Sequence, residues 1–224
     1  MKAEVTHRIS SMWAAVRPSA RNFYKSDRFD SEVKLLTLHP LLLSRLLFNC
    51  PTWNPLRVAD FRRLHGAFLR VLHLATNTVK SDYDDPLVHR RALVRAGVPS
   101  LEDMMRLSRL NFLPRLMQWG PPLLLKLVDA CARFRHTVIE DLVWLVGKVP
   151  KLADMPEPHL ALPEWLDLGR HHRLAWKTYL RTARDAAVHE LQCALESAVA
   201  VAAVPTVGPG CAPAAAAAEV APFF

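Results

Sequence analysis

Residues 91–122, RALVRAGVPSLEDMMRLSRLNFLPRLMQWGPP, are punctuated so closely that little besides helix fits them. Gly97 can take the left-handed conformation that stops the helix before it. Ser100, with Asp103 three residues later, makes a capping box that starts the next helix. Pro114 removes a backbone donor and crowds Leu110, a cost of about 3 kcal/mol in an unbroken helix, so this helix is predicted to bend or finish there. Gly120-Pro121-Pro122 then closes it and opens another. The rest of the chain follows suit. Leu, Ala, Arg and Val dominate, Gly is scarce at 7, and no long apolar–polar alternation occurs, so the predicted fold class is all-α.

Helical spacing of Val5, Ile9, Met12, Trp13 and Val16 predicts an amphipathic first helix that ends near Pro18. Asp30 or Ser31 caps a second, with a kink or break at Pro40. Asn54-Pro55 reads as cap and first turn of a third, with Val58, Phe61, Leu64, Phe68 and Leu72 as its buried face. Arg62, Arg63, Arg70 and His73 cluster on an adjoining face. Residues 76–85 form a polar loop, and Asp85-Pro86 starts a short helix that runs to Gly97. The helix after Gly120 frays near His136, and Thr137 with Glu140 forms a second capping box for a helix closed by Gly147 and Pro150. Residues 148–163 hold four prolines and read as a loop. A long helix follows, from about 170 to 200, striped by Trp176, Leu180, Ala183, Ala187, Leu191 and Ala194. The expected division is a basic thumb-like bundle over 1–78, an irregular helical array over 82–202, and a disordered Ala/Pro tail over 203–224.

Charge is distributed unevenly. Residues 1–80 carry 13 Lys and Arg against 5 Asp and Glu, which is the whole net charge of +8, whereas residues 81–224 carry 16 of each. Such asymmetry points to a nucleic acid or another anionic surface, and against it stands the plain reading of a solvated basic face. The four cysteines are far apart, form no CxxC pair, and mostly sit in apolar surroundings, as small core residues in a reducing compartment do. Residues 1–17 lack the apolar run of a secretory signal. The most apolar window, residues 35–48, is interrupted by His39, Pro40 and Arg45 and reads as too short to span a bilayer. The expectation is a soluble intracellular protein, nuclear or cytoplasmic.

Few residues offer chemistry. Tyr83-Asp84-Asp85 looks like a metal-binding acidic pair after an aromatic residue, but its flanks do not read as strands. A loop cluster that caps the helix after Pro86 explains it better. Glu140-Asp141 reads as an acidic pair at a helix N-terminus. His171-His172 are adjacent, so both rings cannot face one ion from a helix. His189 and Cys193 share a face but lack the further ligands that zinc needs. No phosphate-binding Gly-rich loop, nucleophile elbow or HExxH motif occurs, and no cofactor or metal is predicted. The basic side chains remain. Arg8, Arg17, Arg21 and Lys25 lie on and after the first helix with Phe23 and Tyr24 interleaved, and Arg62, Arg63 and Arg70 lie on the third. Arginines grip phosphates bidentately, and aromatic rings can stack on bases.

Several segments in order, RISSMWAAVRPSARNFY, LLTLHPLLLSRLLFNCPTWNPL, FRRLHGAFLRVLH and RAGVPSLEDMMRLSRLNFLPRLMQWGPP, then IEDLVWLVGKVPKL and LAWKTYLRTARDAA, carry a family resemblance. Over residues 1–200 the chain resembles the region after the catalytic core in reverse transcriptases of non-long-terminal-repeat retrotransposons. The resemblance implies that the first helices form a thumb, which closes on the template–product duplex and contacts its backbone. It assigns that contact to Arg8, Arg17, Arg21 and Lys25, and to Arg62, Arg63 and Arg70. The fingers and palm, with the catalytic aspartates, would lie before Met1, and an Ala/Pro tail stands where zinc-finger and endonuclease segments can follow. The implied protein is no enzyme but a non-catalytic fragment of an RNA-directed DNA polymerase, with RNA or an RNA–DNA duplex as partner. A helical protein-interaction module is the competing expectation.

Overall fold

Two prolines shape the first part of the chain. In the computed structural model, which describes residues 1–53, 56–77 and 85–203, α1 (Lys2–Ser19) ends one residue past Pro18, and α2 (Ser31–Leu41) one residue past Pro40. Each is followed at once by a turn of wider π-helix, Ala20–Tyr24 after α1 and Leu42–Leu46 after α2. A proline ring crowds the carbonyl four residues back and takes away a donor. The π turn itself reaches back five residues instead of four. Lys25 N–H donates to the Ala20 carbonyl at 2.9 Å, and Leu47 N–H to the Leu42 carbonyl at 3.0 Å. With the 3-10 turn Cys50–Thr52, the second run extends over Ser31–Thr52. It is 22 residues long and its 18-residue window of highest mean hydropathy reaches 1.2, so it is long and apolar enough to cross a membrane by length and composition. That corrects the reading of this window as too short. Leu35, Leu38, Leu42, Leu46 and Leu47 of this run pack into the protein core.

The remaining helices are α3 (Val58–Ala75), α4 (Pro86–Ala96), α5 (Leu101–Trp119), α6 (Pro122–Ala130), α7 (Ala132–Lys148), α8 (Leu162–His171) and α9 (Arg173–Ala203). No strand occurs among the described residues, and the fold is all-α. The cap between α4 and α5 follows the sequence closely. The Asp85 carboxylate accepts from Leu87 N–H at 2.8 Å and starts α4. Gly97, at φ 60°, stops it, with Val98 N–H donating to the Leu93 carbonyl and Gly97 N–H to the Val94 carbonyl. The Ser100 hydroxyl oxygen accepts from Asp103 N–H at 3.1 Å and its proton goes to the Asp103 carboxylate at 2.7 Å.

Other boundaries differ from expectation. α3 starts at Val58, which is therefore 66% exposed and not part of the buried face, while Asn54 and Pro55 lie outside the described residues. Leu64, Phe68 and Leu72 are buried as read, and Phe61 is half-buried. His73 belongs to the core and not to the basic cluster. The predicted start at Thr137 fails, because α7 begins at Ala132. Thr137 lies within it and donates its hydroxyl proton to the Arg133 carbonyl at 3.0 Å, the bond a threonine makes inside a helix as readily as it caps one. The Pro-rich segment holds a 3-10 turn, Pro150–Leu152, and gives way to α8, which the sequence reading folds into loop and long helix. On α9, Trp176, Leu180, Ala183 and Ala187 are buried, Leu191 is half-buried and Ala194 is exposed. Cys50 is buried, Cys131 half-buried and Cys193 exposed, so only the first is a core cysteine, while Cys211 and the tail from 204 on lie outside the described residues.

Apolar side chains gather in two clusters. One joins α1, the first π turn, α2, α3 and α4 to Met104 and Met105 of α5. Leu72 and Leu93, from either side of the expected 78–82 division, both belong to it. The other joins Leu110 and Leu113 of α5 to α7, α8 and α9 around Trp165 and Trp176.

α5 continues past Pro114 to Trp119, so the helix does not end there. Pro114 has no N–H for the Leu110 carbonyl, and the Trp176 indole of α9 supplies the missing donor at 2.9 Å. Gly169 of α8 allows the close approach on the other side, since a Cβ there would sit 3.0 Å from Cγ of Pro114. One turn before Leu113, Arg109 forms a two-point pair with Asp141 of α7, Nε to Oδ2 at 2.6 Å and Nη2 to Oδ1 at 2.8 Å. Asp141 is thus a buried partner in the middle of α7, and not part of a helix N-terminal pair. Burial opposes the Arg109 charge, but the hydrogen bonds and charge of Asp141 outweigh it and hold its pKa above the ordinary value.

Three histidines are harder to protonate than a free ring. Burial lowers the pKa of His65 and His73, with the neighbouring His89 adding to it, and burial followed by the charge of Arg184 lowers that of His39. Their folded pKa values lie below 6.5, the value of an unperturbed ring. Stability is therefore complete above about pH 6.5 and falls as the unfolded chain takes up protons first, levelling only below the depressed values. Thermal midpoints measured from about pH 7.5 down to about 5 are expected to drop, with the decline starting near 6.5. A flat profile would show that the rings charge as easily folded as unfolded.

Candidate nucleic-acid interface

The first third of the chain displays its positive charge on α1, the π turn after it, and α3. Not all of that charge is free. Arg8 is turned inward, donating from Nε to the Glu4 carboxylate at 2.7 Å, with its guanidinium 4.7 Å over the Phe48 ring. Only 17% of its side chain is exposed, so it fastens α1 to the end of the second run. Arg63 donates to the Thr6 hydroxyl at 3.0 Å and has Asp60 at 4.0 Å, so it ties α3 to α1. These two arginines are mainly structural.

Arg17, Arg21, Lys25, Arg62 and Arg70 are exposed, and none makes an ion pair among the described residues. Arg17, Arg21 and Lys25 follow one another at intervals of four through the end of α1 and the π turn. On α3, Arg63 and Arg70 share a face and Arg62 lies about 100° round from them, as helical geometry requires. The aromatic residues are arranged differently from expectation. Tyr24 is buried, and Phe23 is half-buried with its ring 5.0 Å from Tyr24 and 4.8 Å from Phe29. Phe29, 41% exposed, is the ring of this trio that faces solvent.

The remaining candidates give no site. Tyr83 and Asp84 lie outside the described residues, and Asp85 is occupied in capping α4. His171 and His172 are both exposed, and His171 lies 3.4 Å from Asp167. His189 Nδ1 is 3.7 Å from Cys193 Sγ on the exposed side of α9. Among the described residues no group of three His, Cys, Asp or Glu side chains could hold a metal ion.

A second collection of cations escapes the sequence reading. Arg173, Lys177, Arg181 and Arg184 recur at intervals of four, four and three along α9, and Arg115 of α5 joins Lys177 and Arg181 at one cavity. Charge counting hides them, because residues 81–224 sum to zero. Helical spacing of the basic residues would reveal them. Comparison of the chain with known protein families, curated proteins and solved structures finds no match.

Proposed function

We propose that this chain is a non-catalytic fragment resembling the tail of a retroelement RNA-directed DNA polymerase, and that it binds RNA or an RNA–DNA duplex through its N-terminal basic face. One observation carries the reading. The whole net positive charge lies within residues 1–80, and five of its cations, Arg17, Arg21, Lys25, Arg62 and Arg70, are exposed without a carboxylate partner among the described residues. Arg8 and Arg63 drop out of the contact set, because both are already engaged within the protein. Phosphate contact is the use of such a face that needs no further machinery.

The test is the salt dependence of binding to a short RNA–DNA duplex. Log affinity is expected to fall linearly with log salt, and Arg17→Glu with Arg21→Glu to flatten the slope by about two phosphate contacts. No binding to duplex or single strand at about 50 mM salt would remove this function. A helical protein-interaction module is the competing reading. It is favoured by Trp119 and Leu123, 75% and 70% exposed on either side of the α5–α6 turn, and it calls for no salt-dependent duplex binding.

A further inference from the structure

Between the second helical run, the end of α4, α5 and α9 lie two cavities of about 620 and 860 Å³, which share His39 and Arg184 and together form a trench. Base and rim of the smaller part differ in chemistry. Buried Leu47, Met104 and Leu180 and half-buried Leu107 line the base. Exposed Arg115, Lys177, Arg181 and Arg184 form the rim, and no carboxylate lines this part. Arg184 is steadied by donating to the Gly97 carbonyl at 3.3 Å, while Arg115, Lys177 and Arg181 make no ion pair among the described residues. In the larger part, Asp30 and Glu32 from the start of α2 stand with Arg95. The depressed pKa of His39, due to burial and then to Arg184, fits a positive potential at the point where the parts join.

This pattern selects among occupants. An apolar base beneath a row of fixed cations complements a segment with one apolar stripe flanked by carboxylates, and like charges gathered without partners gain most when such a segment docks. A nucleic-acid strand suits the trench poorly. No Phe, Tyr or Trp ring lines either cavity to stack on bases. We propose that the trench docks an acidic amphipathic helix of a partner protein, its apolar anchors on Met104, Leu107 and Leu180 and its carboxylates on Arg115, Lys177, Arg181 and Arg184. The site shares no residue with the N-terminal basic face.

The probe is a fluorescent helical peptide of about 15 residues with leucines at helical spacing and glutamates beside them, titrated into the full chain by anisotropy. A scrambled peptide of the same composition serves as control. The ordered peptide is expected to bind at least about tenfold more tightly than the scrambled one, and Lys177→Glu with Arg181→Glu to lower its affinity by at least about tenfold. Both side chains are exposed, so circular dichroism of the variant should match the parent and its duplex affinity should not change. Equal binding of the two peptides, no binding of either, or undiminished binding by the variant would overturn the proposal. So would a single-stranded oligonucleotide whose binding, and not the peptide's, is lost in the variant.

Discussion

Trp176→Phe is expected to cost far more than the loss of a few ring atoms. The substitution keeps an aromatic ring in the second cluster but removes the indole N–H that serves the Leu110 carbonyl. That carbonyl has no helical donor, because residue 114 is proline, and Leu110 is buried. A buried acceptor left without a partner costs about 1–3 kcal/mol, and the smaller ring adds about 1 kcal/mol of packing. The pair can be tested as a cycle. In a Pro114→Ala background the restored backbone N–H can return to the Leu110 carbonyl, so Trp176→Phe should cost about 1 kcal/mol or more less than in the parent. Equal costs in the two backgrounds, measured by denaturant unfolding, would show that the indole bond does not stand in for the proline's missing donor.

Asp141→Ala is expected to lose about 3–5 kcal/mol, since it leaves the Arg109 guanidinium almost buried with no carboxylate beside it. Coulomb attraction alone does not explain such a loss. Charge already removed from water must be accommodated by something, and for Arg109 it is Asp141 that does so, from both oxygens. Arg109→Met combined with Asp141→Leu should therefore recover most of the stability, because it removes both charges and keeps the volume apolar. Urea midpoints of the two variants decide the matter. A double variant as unstable as Asp141→Ala would locate the cost in lost shape and not in the orphaned charge.

Some of this fold is legible without coordinates, and the reason is local. Asp85, Gly97 and Ser100 act through their own backbone and the next few residues, so the limits of α4 and the start of α5 follow from the sequence. The helix end expected at Pro114 does not occur, because the Leu110 carbonyl finds its donor in Trp176 of α9, 66 residues away from Leu110. Pro18 and Pro40 mark where α1 and α2 end, but not that the chain coils on from each as a π turn. Asp141 does carry a signal in the sequence. It sits three residues after Val138 and one before Leu142, on the apolar face of α7, where a carboxylate requires a buried cation. The basic residues of the candidate interface are visible as residues, but spacing alone cannot show that Arg8 and Arg63 have partners inside the protein.

α5 gives Met104 and Met105 to one apolar cluster and Leu110 and Leu113 to the other. A helix held at both ends in this way cannot melt on behalf of one cluster and remain formed for the other without losing half its burial. The two clusters are thereby made a single cooperative unit, although the chain's charge divides so sharply near residue 80. Backbone amides in the middle of α5 would be the last to exchange with solvent, and damage on either side would be felt on both.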